Sequence, residues 1–275
     1  MTEPFFVVVQ RAVADISEHG FESEGRIAYW LGELRKSANT YLMSEQEMTE
    51  RLRDALSAIY SRLIDKGQIA RYHSNIGRFT VDNLRPHLRA ELDRRILASA
   101  YLIKSNRKES IDATLRRFQG WSTSIPAGGS KSTDRREVAE IVKKSLQSLP
   151  FEARRVIIDQ GMKLTSAINS IIASDGGAIA GRWRSHAGEL NYAARPEHAK
   201  RNNHVFLIRD SWAHKAGLVK PGPDGYTDQI EQPAEFVYCR CFYVYLYAVS
   251  DLPDDMVTEK GRAELARVRK EMATA

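Results

Sequence analysis

A change of hydrophobic period near residue 180 constrains this chain more than any other feature. Before it, apolar residues recur every three to four positions, the spacing that lines one face of an α-helix. After it, short runs of β-branched and aromatic residues alternate with turn residues, the pattern of strands. Asp175-Gly176-Gly177 marks the change, because glycine adopts the left-handed backbone that ends a helix at little cost. The 275 residues therefore read as α+β: a predominantly helical N-terminal region followed by a small mixed, mostly antiparallel C-terminal domain.

In the helical part, Phe5, Val8, Val9, Ala12, Val13 and Ile16 line one face, and Gly20 closes the helix. A second helix starts near Glu24, with Ile27, Trp30, Leu31 and Leu34 apolar. Ser44 and Glu47 stand at the spacing of a capping box, which opens a third on Leu52, Leu56, Ile59 and Leu63. Leu84, Leu88, Leu92 and Ile96 mark a basic helix capped near Asp82 or Asn83, so that Pro86 falls in its first turn, where a missing N–H costs nothing. A shorter element follows from Ser110. Residues 120–132 are rich in Gly, Ser and Pro and read as a flexible connector or a partner-contacting loop. Helices over 133–149 and 151–174 come next, separated at Pro150. The strand candidates are 182–185, 205–208 and a long run, 236–249; Asn202-Asn203 can turn tightly into Val205. The resulting division is 1–119 helical domain, 120–132 connector, 133–180 helical pair, 181–250 strand-rich domain and 251–275 charged C-terminal helix.

No apolar run approaches the roughly 20 residues that span a bilayer. The start, Met1-Thr2-Glu3-Pro4-Phe5, lacks the basic and small-residue pattern of a secretory leader, so residence in a cytoplasm and no membrane partner are expected. Lys and Arg number 41 against 35 Asp and Glu, a net charge of +6. Residues 71–117 hold 11 Lys and Arg against 5 Asp and Glu, which accounts for the whole excess. Such a stripe suits an acidic protein surface or a nucleic acid, with Arg85, Arg89, Arg94, Arg95, Lys104, Arg107 and Lys108 as the contacts; the alternative is a solvated helix face.

The only two cysteines, Cys239 and Cys241, flank Arg240 at the head of the last strand candidate. On a strand they would share one face and address one point. With His198 and His204 they make a Cys2His2 set whose soft thiolates and imidazoles suit zinc. The other reading makes both cysteines small apolar side chains buried in a strand, with no cofactor. No local signature joins a cysteine, histidine and acid into a catalytic group, so no catalytic residue is assigned.

The order Trp183, Arg195-Pro196-Glu197-His198, Asn202-Asn203-His204-Val205-Phe206, a Gly/Pro turn, Gln232-Pro233 and Tyr238-Cys239-Arg240-Cys241 resembles the Mu F-like minor head proteins of tailed bacteriophages, also called head morphogenesis proteins. The likeness covers residues 181–247. Many members also carry an upstream Cys-Pro-x-Cys and a His-Pro before Cys-Arg-Cys, and this chain has neither. The resemblance implies a non-enzymatic virion component that binds the portal protein and other head proteins during assembly, in the host cytoplasm and then in the head interior, with packaged double-stranded DNA and copies of itself as further partners. The alternatives from other classes are a metal-dependent nucleic-acid enzyme and a cytoplasmic DNA-binding protein.

Overall fold

The computed structural model describes residues 4–21, 23–73, 76–186 and 192–274; the Met1-Thr2-Glu3 opening, on which the leader reading rests in part, lies outside them. The chain is α+β as expected. Five helices come first: α1 (Phe5–His19), α2 (Glu24–Tyr41), α3 (Glu45–Leu63), α4 (Arg78–Ser122) and α5 (Arg135–Asp175). After them come β1 (Ala180–Arg184), α6 (Pro196–Lys200), β2 (Val205–Leu207), α7 (Trp212–Lys215), β3 (Phe242–Leu246) and α8 (Glu259–Thr274). Among the described residues no helix is long and apolar enough to cross a membrane.

Two compact units form, and they cut across the linear division read from composition. One comprises residues 1–54 and 96–157, the other 55–95 and 158–275. The Gly/Ser/Pro segment is therefore not a boundary; it belongs inside the first unit. That unit is built on the amphipathic face of α1, whose Phe5, Val8, Val9, Ala12, Val13 and Ile16 are all buried with Trp30, Leu34, Leu115, Phe118, Val142 and Leu146. Asp15 ties α1 to α2 by accepting from the Trp30 indole N–H at 2.7 Å and pairing with Arg26 at 2.9 Å. The Ser44 hydroxyl accepts the Glu47 N–H at 3.1 Å, one half of the expected capping box.

Three expected breaks are absent. The element expected from Ser110 is part of α4, because the polar run from Lys104 to Glu109 is made of residues a helix tolerates. Pro86 lies in the ninth position of α4, well past its first turn, and Pro150 lies inside α5. A proline there removes a backbone hydrogen bond at a cost of roughly 3 kcal/mol. Burial of Leu88 and Leu92 after Pro86, and of Leu146 and Leu149 before Pro150, offsets it.

The loop over 123–134 is also not free. Its N–H groups cap the C-terminal end of α1: Gly128 donates to the His19 carbonyl at 3.1 Å and Ser130 to the Ser17 carbonyl at 2.8 Å. Those carbonyls belong to the last turn of α1 and have no partner within the helix.

In the second unit the three strands form one antiparallel sheet in the order β2-β1-β3. Alternation along the strands buries both faces. Trp183, Phe206, Tyr243 and Tyr245 go to one side with Cys239 and Cys241, while Ala180, Val205, Leu207 and Leu246 go to the other. The expected strand over 236–249 is only half realised. Its pairing begins at Phe242, opposite Arg184, where β1 ends, so among the described residues no strand lies in register with residues 236–241. They turn instead, and the Cys239 N–H bonds the Phe236 carbonyl at 3.1 Å.

Candidate functional site

Cys239 and Cys241 do meet at one point, though by a turn and not by strand alternation. Two residues without glycine's freedom hold left-handed backbone, Ala234 at φ 65° and Tyr238 at φ 62°, which costs about 1–3 kcal/mol each. Fixed anchors maintain them. Buried Asp159 of α5 accepts the Tyr238 N–H at 2.8 Å, and the Ser166 hydroxyl bonds the Pro233 carbonyl at 2.7 Å. The Ala234 N–H points at the Cys239 sulfur at 3.4 Å, and the Arg240 N–H bonds the Tyr192 hydroxyl at 3.1 Å.

His198 completes the cluster from α6, a single turn that Pro196 opens. Its Nδ1 lies 3.4 Å from the Cys239 sulfur and 3.7 Å from the Cys241 sulfur. Its ring meets Trp183 edge-on at 5.3 Å, and Phe236 lies 6.0 Å away beneath the Arg195 guanidinium. All three ligand atoms fall within 4.8 Å of one another, and all three residues are buried.

The two thiols share charge unequally. The Cys241 thiol donates to the Cys239 sulfur, which pulls the Cys239 pKa well below the ordinary thiol range; burial opposes this, while the Ala234 N–H and His198 assist. The same interaction, with burial and the neighbouring negative charge, pushes Cys241 up. The pair therefore gives up one proton readily and the second reluctantly. A cation coordinated by both sulfurs would take the place of that second proton.

The set fits a zinc ion. With Zn–S near 2.3 Å and Zn–N near 2.0–2.1 Å, neighbouring tetrahedral ligands stand about 3.6 Å apart, and the two sulfur–nitrogen distances here are 3.4 and 3.7 Å. Comparison with protein-family models, with curated proteins and with solved structures finds no match to this chain.

His204 does not belong to it. Its ring is half exposed and paired with Asp224 at 2.6 Å, because the turn at Asn203, φ 71°, sends residue 204 outward at the start of β2. The four-ligand set expected from sequence is reduced to Cys239, Cys241 and His198, with no fourth His, Cys, Asp or Glu in the cluster among the described residues. Asp159 and Ser166, which shape the cysteine turn, carry no sequence signal: they sit on a helix more than 60 residues upstream.

The basic stripe is divided between the two units and largely neutralised. In the second unit Arg85 pairs with Asp65 and Asp82, both at 2.8 Å, Arg89 with Asp93 at 3.6 Å, and Arg94 and Arg95 with Glu91 at 2.6 and 3.1 Å. In the first, Lys104 pairs with Glu45 at 3.2 Å. Arg107 is no surface contact: it is buried and donates to the Met43 and Asn39 carbonyls at the end of α2. Of the seven, Lys108 alone is exposed without a recorded partner among the described residues. Such i,i+3 and i,i+4 pairs are the ordinary arrangement of a solvated helix face.

Proposed function

We propose that this chain is a minor head protein of a tailed bacteriophage, acting by binding rather than catalysis at the portal and inner capsid during head assembly. One observation supports the reading above others. Trp183, His198, Cys239 and Cys241, scattered through the stretch that resembles the Mu F-like family, converge on one buried cluster within one compact unit. A recurring order of residues that meets in space implies a shared local architecture. The portal protein and other head proteins are the partners in this reading, with packaged DNA and further copies of the chain as additional ones.

The role given to the cluster is structural. Cys239, Cys241 and His198 would hold zinc, which when bound would tie the turn over 234–241 to α6. One equivalent of Zn2+ is then expected to bind per chain at neutral pH, more weakly as protons compete at lower pH. Cys239→Ser is expected to weaken binding by at least about tenfold, and His204→Ala to leave it unchanged. Zinc titration followed by calorimetry measures both; equal losses in the two variants would contradict the assignment of ligands. The head-protein reading itself requires the chain to be carried in purified particles in a fixed ratio to portal, which quantitative mass spectrometry measures.

A further inference from the structure

Among the described residues, the face of the sheet that carries Ala180, Val205, Leu207 and Leu246 is packed against a core at that end and is partly or fully exposed at the other. Alternation continues that face through Arg182 and Arg184 on β1 and through Val244 and Phe242 opposite them on β3. At this open end the apolar surface gives way to cations. Arg182, Arg184 and Arg71, from the turn before α4, surround Phe242 and Val244 in a recess of about 340 Å³. A second recess of about 280 Å³ shares Arg71 and Phe242 and adds Arg240 and His186, reaching as far as Cys241.

Two properties of this surface bear on what it could hold. Several arginines elsewhere in the same unit are held by acids, among them Arg201 by Glu231 at 2.6 Å and Arg209 by Asp228 at 2.8 Å. Among the described residues, Arg71, Arg182 and Arg184 are paired with no carboxylate: Arg71 lies over the Tyr72 ring and Arg184 donates to the Asn203 side chain. No Asp or Glu lines either recess among the described residues. The cations also stand around an aromatic group, with Tyr72 edge-on to Phe242 at 5.0 Å and His186 tilted against it at 5.3 Å. Phe242 itself remains half-buried.

We propose that this open end of the sheet binds single-stranded nucleic acid, with Arg71, Arg182 and Arg184 on successive phosphates and the Phe242 group against a base. Uncompensated arginines call for a polyanion. Residues two apart on a strand stand about 7 Å from each other on one face, a step comparable with that between phosphates of an extended strand. An aromatic floor between cations is of use only to a ligand with an exposed π-face, which a single strand offers and a duplex keeps inside its stack. The inference goes beyond the head-assembly reading and does not depend on it.

Fluorescence anisotropy of a dye-labelled oligothymidylate tests the proposal on the full chain. The double variant Arg182→Gln/Arg184→Gln is expected to lose at least about tenfold in affinity, and its log–log salt dependence to flatten by about 1.4, from about 0.7 per lost phosphate contact. Arg182→Lys/Arg184→Lys keeps the charges and is expected to keep the salt slope. Phe242→Leu is expected to weaken binding at least about fivefold with the slope unchanged. Arg209→Gln, which removes an exposed but acid-paired charge, serves as the control, and circular dichroism confirms that each variant is folded. The proposal is overturned if the double glutamine variant binds no more weakly than the control. It is equally overturned if a duplex of the same length binds as tightly with the same sensitivity to the variants, or if polyglutamate displaces the oligonucleotide as well as unlabelled oligothymidylate does.

Discussion

Gly129→Ala is expected to lower the unfolding free energy by about 3 kcal/mol or more, whereas Gly128→Ala, one residue earlier, should cost only about 1 kcal/mol. Both glycines hold left-handed backbone, at φ 86° and 84°, and a side chain there costs about 1–2 kcal/mol. Their surroundings differ. A Cβ on Gly128 meets open space, but one on Gly129 would lie 2.4 Å from the carbonyl oxygens of both Ser17 and Glu18. Those atoms are helix backbone, so the loop must move away from α1. The movement breaks the bonds from Gly128 and Ser130 to the His19 and Ser17 carbonyls, each contributing about 1 kcal/mol. Urea unfolding followed by tryptophan fluorescence gives both values. Equal costs for the two substitutions would mean that the loop is the free connector its composition first suggested.

Acid should destabilise the second unit through His73. This histidine is 2 % exposed, stacked on Tyr245 at 5.4 Å and bonded through Nδ1 to the Tyr247 hydroxyl at 2.6 Å. Burial lowers its pKa from 6.5 to about 4, with Asn169 acting weakly the other way and no carboxylate contributing among the described residues. Tyr245 and Tyr247, pushed upward by burial, stay neutral and supply no counter-charge. Because the folded pKa is depressed, the unfolded chain binds the proton first as pH falls. The stabilisation is complete above about pH 6.5 and is lost through the window down to pH 4, by about 3 kcal/mol at its lower end. Other groups also titrate there, so the diagnostic is a comparison: the stability gap between wild type and His73→Phe should narrow by about this amount between pH 7 and pH 4. A gap that stays constant would contradict a buried neutral imidazole.

The legible parts of this chain were those in which local pattern and tertiary packing agree. The stripe on α1 is apolar at every position that the fold buries except Ser17, whose hydroxyl bonds the Val13 carbonyl, so its face is directly legible. Helix ends are less legible because proline is a local signal: at Pro86 and Pro150 the buried leucines nearby outweigh the missing hydrogen bond. The run Phe236-Val237-Tyr238-Cys239-Arg240-Cys241 has strand composition throughout, yet a strand also needs a neighbour, and β1 stops at Arg184. At the site, the cysteine pair and His198 were visible as residue types suited to one ion. His204 has the same chemistry, and only the turn at Asn203 excludes it. The charge of residues 71–117 was legible, but not the fate of each arginine, since Asp65 and Glu45 reach that stripe from elsewhere in the chain. The arginines around Phe242 leave no local signal, because Arg71, Arg182 and Arg184 are joined only by folding.

The proposed head role requires the chain to be built into phage heads through binding. Quantitative mass spectrometry of purified, DNA-filled particles produced from the genome that encodes the chain tests it most directly, with its amount expressed relative to portal. A few copies per portal ring, retained through purification, is the expected result. Absence from those particles, in cells where the free protein is abundant, would contradict it.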